Sequence, residues 1–262
     1  MTYTAYLDLN RLLAAQHPHS DHSDELLFIV QHQVTELWLK LALHELRRAR
    51  THLCEDDLQH ALKDLARIKH LQRSLIEQWS VLTTLTPSEF AGFRPVLGQS
   101  SGIQSYQYRA VEFVLGNKDK SMLAQFDDEP AGRDLLVTMY EQPTIYDAFL
   151  AYLARHDHGV PADILARDVR EPWVYQAGLV PVFRRIYESV DDEWRTYEAC
   201  EALIDVEHNF QVWRFRHLQV VARTIGARTG TGGSSGTAFL RRALDLTFFP
   251  ELFAVRSEVV AG

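Results

Sequence analysis

The chain has 262 residues, with 27 basic and 35 acidic side chains, 12 histidines and a formal net charge of −8. Its 46% apolar and 24% charged residues are typical of a globular protein and exclude disordered and collagen-like chains. The acidic balance argues against broad, charge-driven binding of nucleic acid.

Three absences in the sequence narrow the class of protein further. No apolar run approaches the ~18–20 residues of a membrane span. The first residues lack the basic start and apolar stretch of a secretion signal. The two cysteines, Cys54 and Cys200, form no CxxC motif, which argues against a disulfide framework or a cysteine-rich zinc site. We therefore expect a cytoplasmic protein with no nucleic-acid or membrane partner.

Apolar residues spaced three and four positions apart predict long helices in the first third of the chain. Ser23 or Asp24 is placed to cap a first helix that extends to about residue 53, and this helix is apolar around much of its circumference. Such a helix is buried between other helices. A second helix is predicted over 57–85, followed by a break and a new helical start at Thr86 and Pro87.

The same spacing predicts helices in the rest of the chain. They cover 103–115, 133–141, 144–155, 161–166 and 191–225, with a closing helix from 237 that ends before Pro250. The polar stretch 116–133 is predicted to be a surface loop, Pro172 and Pro181 to interrupt regular structure, and 226–236 to be a glycine-rich loop. Without a visible strand or repeat, we predict one all-α domain over 1–262, built on a few long helices.

Three short patches combine aromatic, basic and histidine side chains. The first is Phe-Ile-Val-Gln-His-Gln at 28–33, with His32 one helical turn after Phe28; the second places Arg94 beside Phe90 and Phe93. The third is Trp-Arg-Phe-Arg-His at 213–217, followed by the Gly-Thr-Gly-Gly run at 230–233. Taken singly, each also fits a structural role: a hydrogen-bonded core histidine, a surface ion pair or a connecting turn. His17, His19 and His22 could bind a metal, and their role stays open.

Together, and in this order, the patches resemble the tryptophan 2,3-dioxygenase family from Tyr3 to about Arg256. The resemblance is carried by Phe-Ile-Val-Gln-His-Gln with Glu-Leu-Trp, Phe-Arg with Ser-Ser-Gly-Ile-Gln-Ser and Gln-Tyr-Arg, and His217 with Gly-Thr-Gly-Gly-Ser-Ser-Gly and Phe-Pro-Glu-Leu. It implies an all-helical homotetramer with one non-covalent haem b per subunit. The implied reaction adds O2 across the indole C2–C3 bond of L-tryptophan to give N-formyl-L-kynurenine, the first step of tryptophan breakdown by the kynurenine route.

The resemblance also implies roles for individual residues. His217 falls at the axial ligand of the haem iron, and His32 at the distal position near the indole N–H, where it orients the substrate. Arg94 matches the side chain that grips the substrate carboxylate, and Thr231 the loop residue at the substrate's ammonium and carboxylate side. Phe28 matches a position that packs on the indole, and Phe90, Leu97 and Ser101 match further positions of the pocket. Tyr3, Tyr6 and Leu7, in the 1–20 segment, match positions that complete the pocket of a neighbouring subunit.

Two positions depart from common family patterns, and other functions stay open. Phe90 stands where some bacterial members have a tyrosine whose hydroxyl helps to hold the carboxylate, and Thr35 where a tyrosine is common. The motifs do not exclude a relative that oxygenates a substituted tryptophan, such as a methylated one, in a biosynthetic pathway, or that inserts a single oxygen atom. A haem sensor without turnover and a helical scaffold with structural histidines are further alternatives. Arg94 and Thr231 argue against the sensor, which has no need of an amino-acid clamp.

Overall fold

The fold is all-α, as predicted, in the part of the chain that the structure describes. This part is residues 1–226, 228 and 236–259 of a computed structural model. The α-helices are α1 (Tyr3–Tyr6), α2 (Leu9–Leu12), α3 (Glu25–Cys54), α4 (Leu58–Glu77), α5 (Trp79–Leu82), α6 (Pro87–Phe93), α7 (Tyr106–Leu115), α8 (Pro130–Glu141), α9 (Ile145–Arg155), α10 (Ala162–Leu165), α11 (Val180–Glu188), α12 (Trp194–Thr224), α13 (Thr237–Ala243) and α14 (Pro250–Ala254). Short 3-10 helices cover Arg94–Leu97, Gly102–Gln104, Lys120–Phe126, Ala177–Leu179 and Val255–Ser257. No strand and no helix long and apolar enough to cross a membrane occurs among these residues.

Three long helices form the centre of the molecule. Helix α4 packs against both α3 and α12, and α3 also packs against α7 and α9. Their buried faces belong to one apolar core, whose members include Leu39, Leu46, Leu65, Ile68, Leu203 and Val206. Each fully buried leucine or isoleucine contributes roughly 1.5–3 kcal/mol of transfer free energy, so this core holds the long helices in place.

The predicted second helix is divided at Gln78, so that part of the prediction is wrong. Helix α4 ends at Glu77 and α5 begins at Trp79. The backbone carbonyl of Gln78 accepts a hydrogen bond from Nε2 of Gln31 at 3.0 Å, and its side chain donates to Oγ1 of Thr35 at 2.8 Å. Both bonds reach α3 and not a neighbouring turn of the same helix. The spacing of apolar residues indicates only which face of a helix is apolar, and it does not indicate hydrogen bonds to another helix.

Prolines and the segment after Gly102 account for the other differences in helix bounds. Pro181 lies in the first turn of α11, where a missing N–H costs nothing, so it begins a helix where an interruption was predicted. The predicted closing helix is α13, which ends at Ala243 and so before Pro250, as predicted. Pro250 in the same way begins a further short helix, α14, that was not predicted. Helix α7 begins only at Tyr106, because the Ser105 side chain caps it by accepting from the N–H of Tyr108.

The stretch predicted as a surface loop contains a buried lysine. Lys118 is only 1% exposed, and its ammonium donates to the carbonyls of Tyr140, at 2.9 Å, and of Gln142. Burial lowers the pKa of Lys118 to about 8. The residue ties the chain after α7 to the carboxyl end of α8, where a positive charge is favourable.

Candidate active site

A cavity of about 430 Å³ lies among α3, α5, α6, α7, α12 and α13. Its volume is in the range of small-molecule and cofactor sites. Most of the lining is apolar, including Leu39, Leu82, Leu85, Val220, Ile225 and Leu240. Into this lining project two histidines, one from each of the two longest helices: His32 from α3 and His217 from α12.

His217 is a buried imidazole that packs between tryptophan rings. Its ring stacks on the indole of Trp79, with centroids 4.8 Å apart and planes 11° from parallel, and lies 5.5 Å from the ring of Trp213. Burial and, to a smaller extent, the nearby His32 lower the pKa of His217 to about 4. The imidazole is therefore neutral at pH 7 and keeps a nitrogen lone pair. Stacking on Trp79 holds the plane of the ring.

His32 is held in one tautomer by its own helix. Its Nδ1 lies 2.7 Å from the backbone carbonyl oxygen of Phe28. Because a carbonyl oxygen only accepts, Nδ1 carries the proton and Nε2 of the neutral ring keeps its lone pair. Burial lowers the pKa of His32, while the Phe28 carbonyl and Glu36 oppose that shift. The second ring nitrogen of His32 can therefore accept a hydrogen bond from a ligand N–H.

Aromatic side chains pack beside His32. The Phe28 ring lies 4.1 Å from the His32 ring, 5.9 Å from Phe90 and 5.6 Å from Phe93. Phe90 and Phe93 are on α6, whose beginning at Pro87 confirms the predicted helical start. A capping box formed by Thr86 and Glu89 stabilises this end of the helix. This wall offers flat apolar surface to a planar ligand.

The structure brings together most, but not all, of the predicted site residues. His32, His217, Phe28, Phe90, Leu97 and Ser101 all line the cavity. Arg94 begins the 3-10 helix after α6 and is half-buried, but it is not among the described residues that line the cavity. Thr231 lies outside the described residues. The roles of these residues stay predictions.

The N-terminal segment does not reach the cavity of its own chain. Tyr3 and Tyr6 are 75% and 74% exposed, and Leu7 is exposed as well. The segment is bound to the start of α3 at residues 19 and 20. The backbone N–H groups of His19 and Ser20 donate to the buried carboxylate of Glu25 at 2.8 and 2.7 Å. Asp24 precedes α3 but makes no capping hydrogen bond with its side chain. The aromatic end of the segment is thus left without cover by its own subunit.

A buried ionic network on the cavity wall is the main feature that sequence reasoning missed. The Glu112 carboxylate accepts from Arg109 at 2.6 Å, from Arg214 at 2.7 Å and from the Tyr108 hydroxyl at 3.0 Å. The Arg214 guanidinium also lies over two phenylalanine rings, those of Phe210 and Phe248. The spacing of 108, 109 and 112 on one helix could have suggested part of this network, but the partner on α12 could not have been inferred.

The sequence also raised the question of a metal site at His17, His19 and His22. Among the residues that the structure describes, no group of three or more histidine, cysteine or acidic side chains could hold a metal ion. His17 and His19 are exposed, and the His22 ring packs 5.6 Å from that of Phe93.

An all-α chain with a mainly apolar cavity lined by two neutral histidines fits the class of helical proteins that bind a planar cofactor between their helices. The model of the family described as tryptophan 2,3-dioxygenase matches residues 1–160 and 124–259. The chain belongs to this family. Haem is the cofactor that membership implies.

Individual relatives match the chain over nearly its whole length. A protein named tryptophan 2,3-dioxygenase from Saccharopolyspora erythraea is 59% identical over 261 residues, which is 99% of this chain and 93% of the relative. One of the same name from Kineococcus radiotolerans is 60% identical, covering 99% of this chain and 91% of the relative. A third from Serratia proteamaculans is 51% identical, covering 100% and 94%. The similarity thus includes every element that forms the cavity.

Proposed function

We propose that the protein inserts both atoms of O2 across the indole C2–C3 bond of L-tryptophan and releases N-formyl-L-kynurenine. The observation that carries the proposal is the placement of His32 and His217 in one apolar cavity, each neutral and each with a ring nitrogen available. Family membership and full-length relatives of that name support the same reaction.

The residues of the cavity fit a haem. We propose haem b, held without a covalent bond, one to each subunit, with His217 as the sole protein ligand to the iron. A single neutral imidazole and a mostly apolar wall are what a five-coordinate haem requires. When bound, the haem supplies the iron that activates O2. The Trp79 ring would keep the ligating imidazole from rotating.

The remaining residues bind and orient the substrate. With Nδ1 committed to the Phe28 carbonyl, Nε2 of His32 would accept a hydrogen bond from the indole N–H and so fix which edge of the ring faces the haem. Phe28 and Phe90 would pack against the indole face. Leu97 and Ser101 would complete the wall. Orientation of this kind lowers the barrier by removing the entropy cost of alignment in the reacting complex.

The charged end of the substrate needs a second group of contacts. We propose that Arg94 holds the carboxylate, since a planar guanidinium can donate two parallel hydrogen bonds. Phe90 has no hydroxyl that could also bind the carboxylate, so Arg94 would be its main partner. Thr231 is the expected second contact. Closing the site around these groups would exclude water and strengthen the ionic pairing.

We further propose a homotetramer in which the exposed Tyr3, Tyr6 and Leu7 cover the cavity of a neighbouring subunit. Their high exposure in a single chain supports this arrangement, since aromatic side chains bury most of their surface where they can. The cytoplasmic location stays a prediction of the sequence.

The product formed under ¹⁸O2 tests the proposed reaction. The haem-loaded protein should convert L-tryptophan into a product that carries two ¹⁸O atoms before exchange. One labelled atom would indicate monooxygenation, and no product despite haem binding would indicate a sensor. Comparing kcat/KM for L-tryptophan and for methylated tryptophans tests the substrate, and a preference for a methylated form would favour the biosynthetic alternative.

A further inference from the structure

Two arginines on different helices converge at one side of the cavity. Arg109 on α7 and Arg242 on α13 both line it, and each guanidinium carbon lies 6.0 Å from the centre of the Phe239 ring. Arg109 is only 6% exposed, whereas Arg242 is exposed at the rim. The cavity therefore has a basic side, with an aromatic ring between the two cations.

The positive charge on this side is only partly balanced. Glu112 is the one described carboxylate that pairs with either Arg109 or Arg214, and it serves both, at 2.6 and 2.7 Å. Arg214 also donates hydrogen bonds to the Tyr108 hydroxyl oxygen and to the Leu246 carbonyl oxygen. The cluster keeps an excess positive charge, and Arg242 adds another.

Donors on both arginines remain available. Nε of Arg109 is buried and has no hydrogen-bond partner among the described residues. The Arg242 guanidinium likewise has no ion pair or hydrogen bond within that part of the chain, only its contact with the Phe239 ring. A buried donor left without an acceptor is unfavourable, so an acceptor on a bound ligand would stabilise this arrangement.

The other two carboxylates of the cavity do not neutralise these arginines. Glu36 on α3 accepts from Gln107, at 3.1 Å, and Asp119 accepts from the N–H and hydroxyl of Ser121, at 2.9 and 2.6 Å. Both are engaged elsewhere on the cavity wall. The basic side is thus open to an anionic group.

The basic side is set away from His217. The Trp213 ring lies 5.5 Å from the His217 ring, the Tyr108 ring lies 5.4 Å from that of Trp213, and the Arg109 guanidinium lies 5.2 Å from the Tyr108 ring. Two aromatic side chains therefore separate Arg109 from the ligating imidazole along the wall. This position corresponds to the edge of a planar group centred on His217.

We propose that Arg109 and Arg242 bind the carboxylate edge of the haem, whose two propionates lie on one side of the ring. The inference rests on the proposed function, since it takes haem as the occupant of the cavity. Nε of Arg109 would donate to one carboxylate, and Arg242 would pair with the other. Phe239 would pack against the same edge. The two arginines would then set the rotation of the haem about the His217 bond.

Haem dissociation tests the proposal without relying on activity. Haem-free protein is loaded with haem b or with its dimethyl ester, in which both carboxylates are blocked, and the rate of haem transfer to excess apomyoglobin is measured. With haem b, Arg242→Gln should accelerate dissociation by ~10-fold or more, as expected for loss of a charged hydrogen bond. With the ester, wild type should already dissociate fast, and the substitution should add less than ~3-fold.

Two further variants complete the experiment. Arg241→Gln removes a neighbouring exposed charge of the same helix that does not line the cavity, and it should leave both rates unchanged. Arg109→Lys keeps the charge toward Glu112 but loses the guanidinium fork, and it should accelerate loss of haem b more than loss of the ester. Equal effects of Arg242→Gln on haem b and on the ester, or no effect on either, would overturn the proposal. Failure of the wild type to bind haem would instead overturn the proposed function.

Discussion

Replacing Glu112 by glutamine is expected to destabilise the whole fold, because this carboxylate holds two buried arginines. Glu112 is 2% exposed and accepts from Arg109 at 2.6 Å, from Arg214 at 2.7 Å and from Tyr108 at 3.0 Å. Glutamine has nearly the same shape, so the substitution removes the negative charge while it leaves packing almost unchanged. Both guanidiniums then remain buried without a counter-charge.

The size of the effect follows from burial. Removing one partner of a buried ion pair costs ~3–5 kcal/mol, while folded proteins are typically stable by only ~5–15 kcal/mol. At ~2–4 °C per kcal/mol for a chain of about this size, the melting temperature should fall by roughly 6–20 °C. Tyr108→Phe removes a single hydroxyl donor from the same carboxylate and should cost only ~0.5–1.5 kcal/mol.

Calorimetry on the haem-free proteins measures this difference. The matched control is Glu188→Gln, which breaks the exposed ion pair of Glu188 with Arg184 on α11, 2.7 Å apart, and should change stability by less than ~0.5 kcal/mol. The melting temperature should be highest for Glu188→Gln, intermediate for Tyr108→Phe and lowest for Glu112→Gln. A Glu112→Gln protein that melts within about 2 °C of the wild type would refute the reasoning, because the network would then contribute almost nothing.

Four further outcomes are expected. Arg94→Ala should lower kcat/KM for L-tryptophan by ~30-fold or more, since losing a charged partner in a desolvated site typically costs ~2–5 kcal/mol; near-normal kcat/KM would contradict the clamp. His32→Ser should keep measurable turnover, because orientation contributes less than the ~10²–10⁴-fold of a full general base, and complete inactivity with haem and substrate bound would argue for an obligatory base. Burial raises the pKa of Glu207 from 4.5 to about 7, so the folded state favours the protonated side chain. The free energy of unfolding that this preference adds is fully present below pH 4.5 and is lost as the pH rises to about 7. Urea unfolding at pH 5 and pH 8 measures this effect. The free energy of unfolding of Glu207→Gln, relative to that of the wild type, should be higher at pH 8 than at pH 5, and an equal difference at both pH values would contradict the expectation. Deletion of residues 2–8 should leave haem bound but raise KM sharply, and a truncated monomer with full activity would show that one chain builds the whole site.

Much of the fold could be predicted because it depends on local patterns. The spacing of apolar residues placed α3 and α12 within a few residues of their actual bounds, and the helical start predicted at Thr86 and Pro87 located α6. The division at Gln78 and the burial of Lys118 could not be predicted, since both depend on acceptors or donors from helices distant in the sequence. Local patterns specify which face of a helix is apolar, and tertiary contacts decide where the helix stops.

The site divides in the same way. Motif order identified His32 and His217, and the structure places both on one cavity. The tautomer of His32 and the stacking of His217 on Trp79 could not be predicted from the sequence, because each depends on a distance between specific atoms or rings. The buried cluster around Glu112 joins α7 to α12 across about a hundred residues of sequence, and no single-sequence pattern links these positions.

The most direct test of the central claim, that the cavity holds a haem on His217, is the visible absorption spectrum of the reduced His217→Ala protein after incubation with haem. The control is His208→Ala, which removes an exposed histidine of the same helix outside the cavity lining. The account predicts that His208→Ala keeps the spectrum of a five-coordinate, histidine-bound haem and that His217→Ala loses it. An unchanged five-coordinate histidine spectrum in His217→Ala would contradict the assignment.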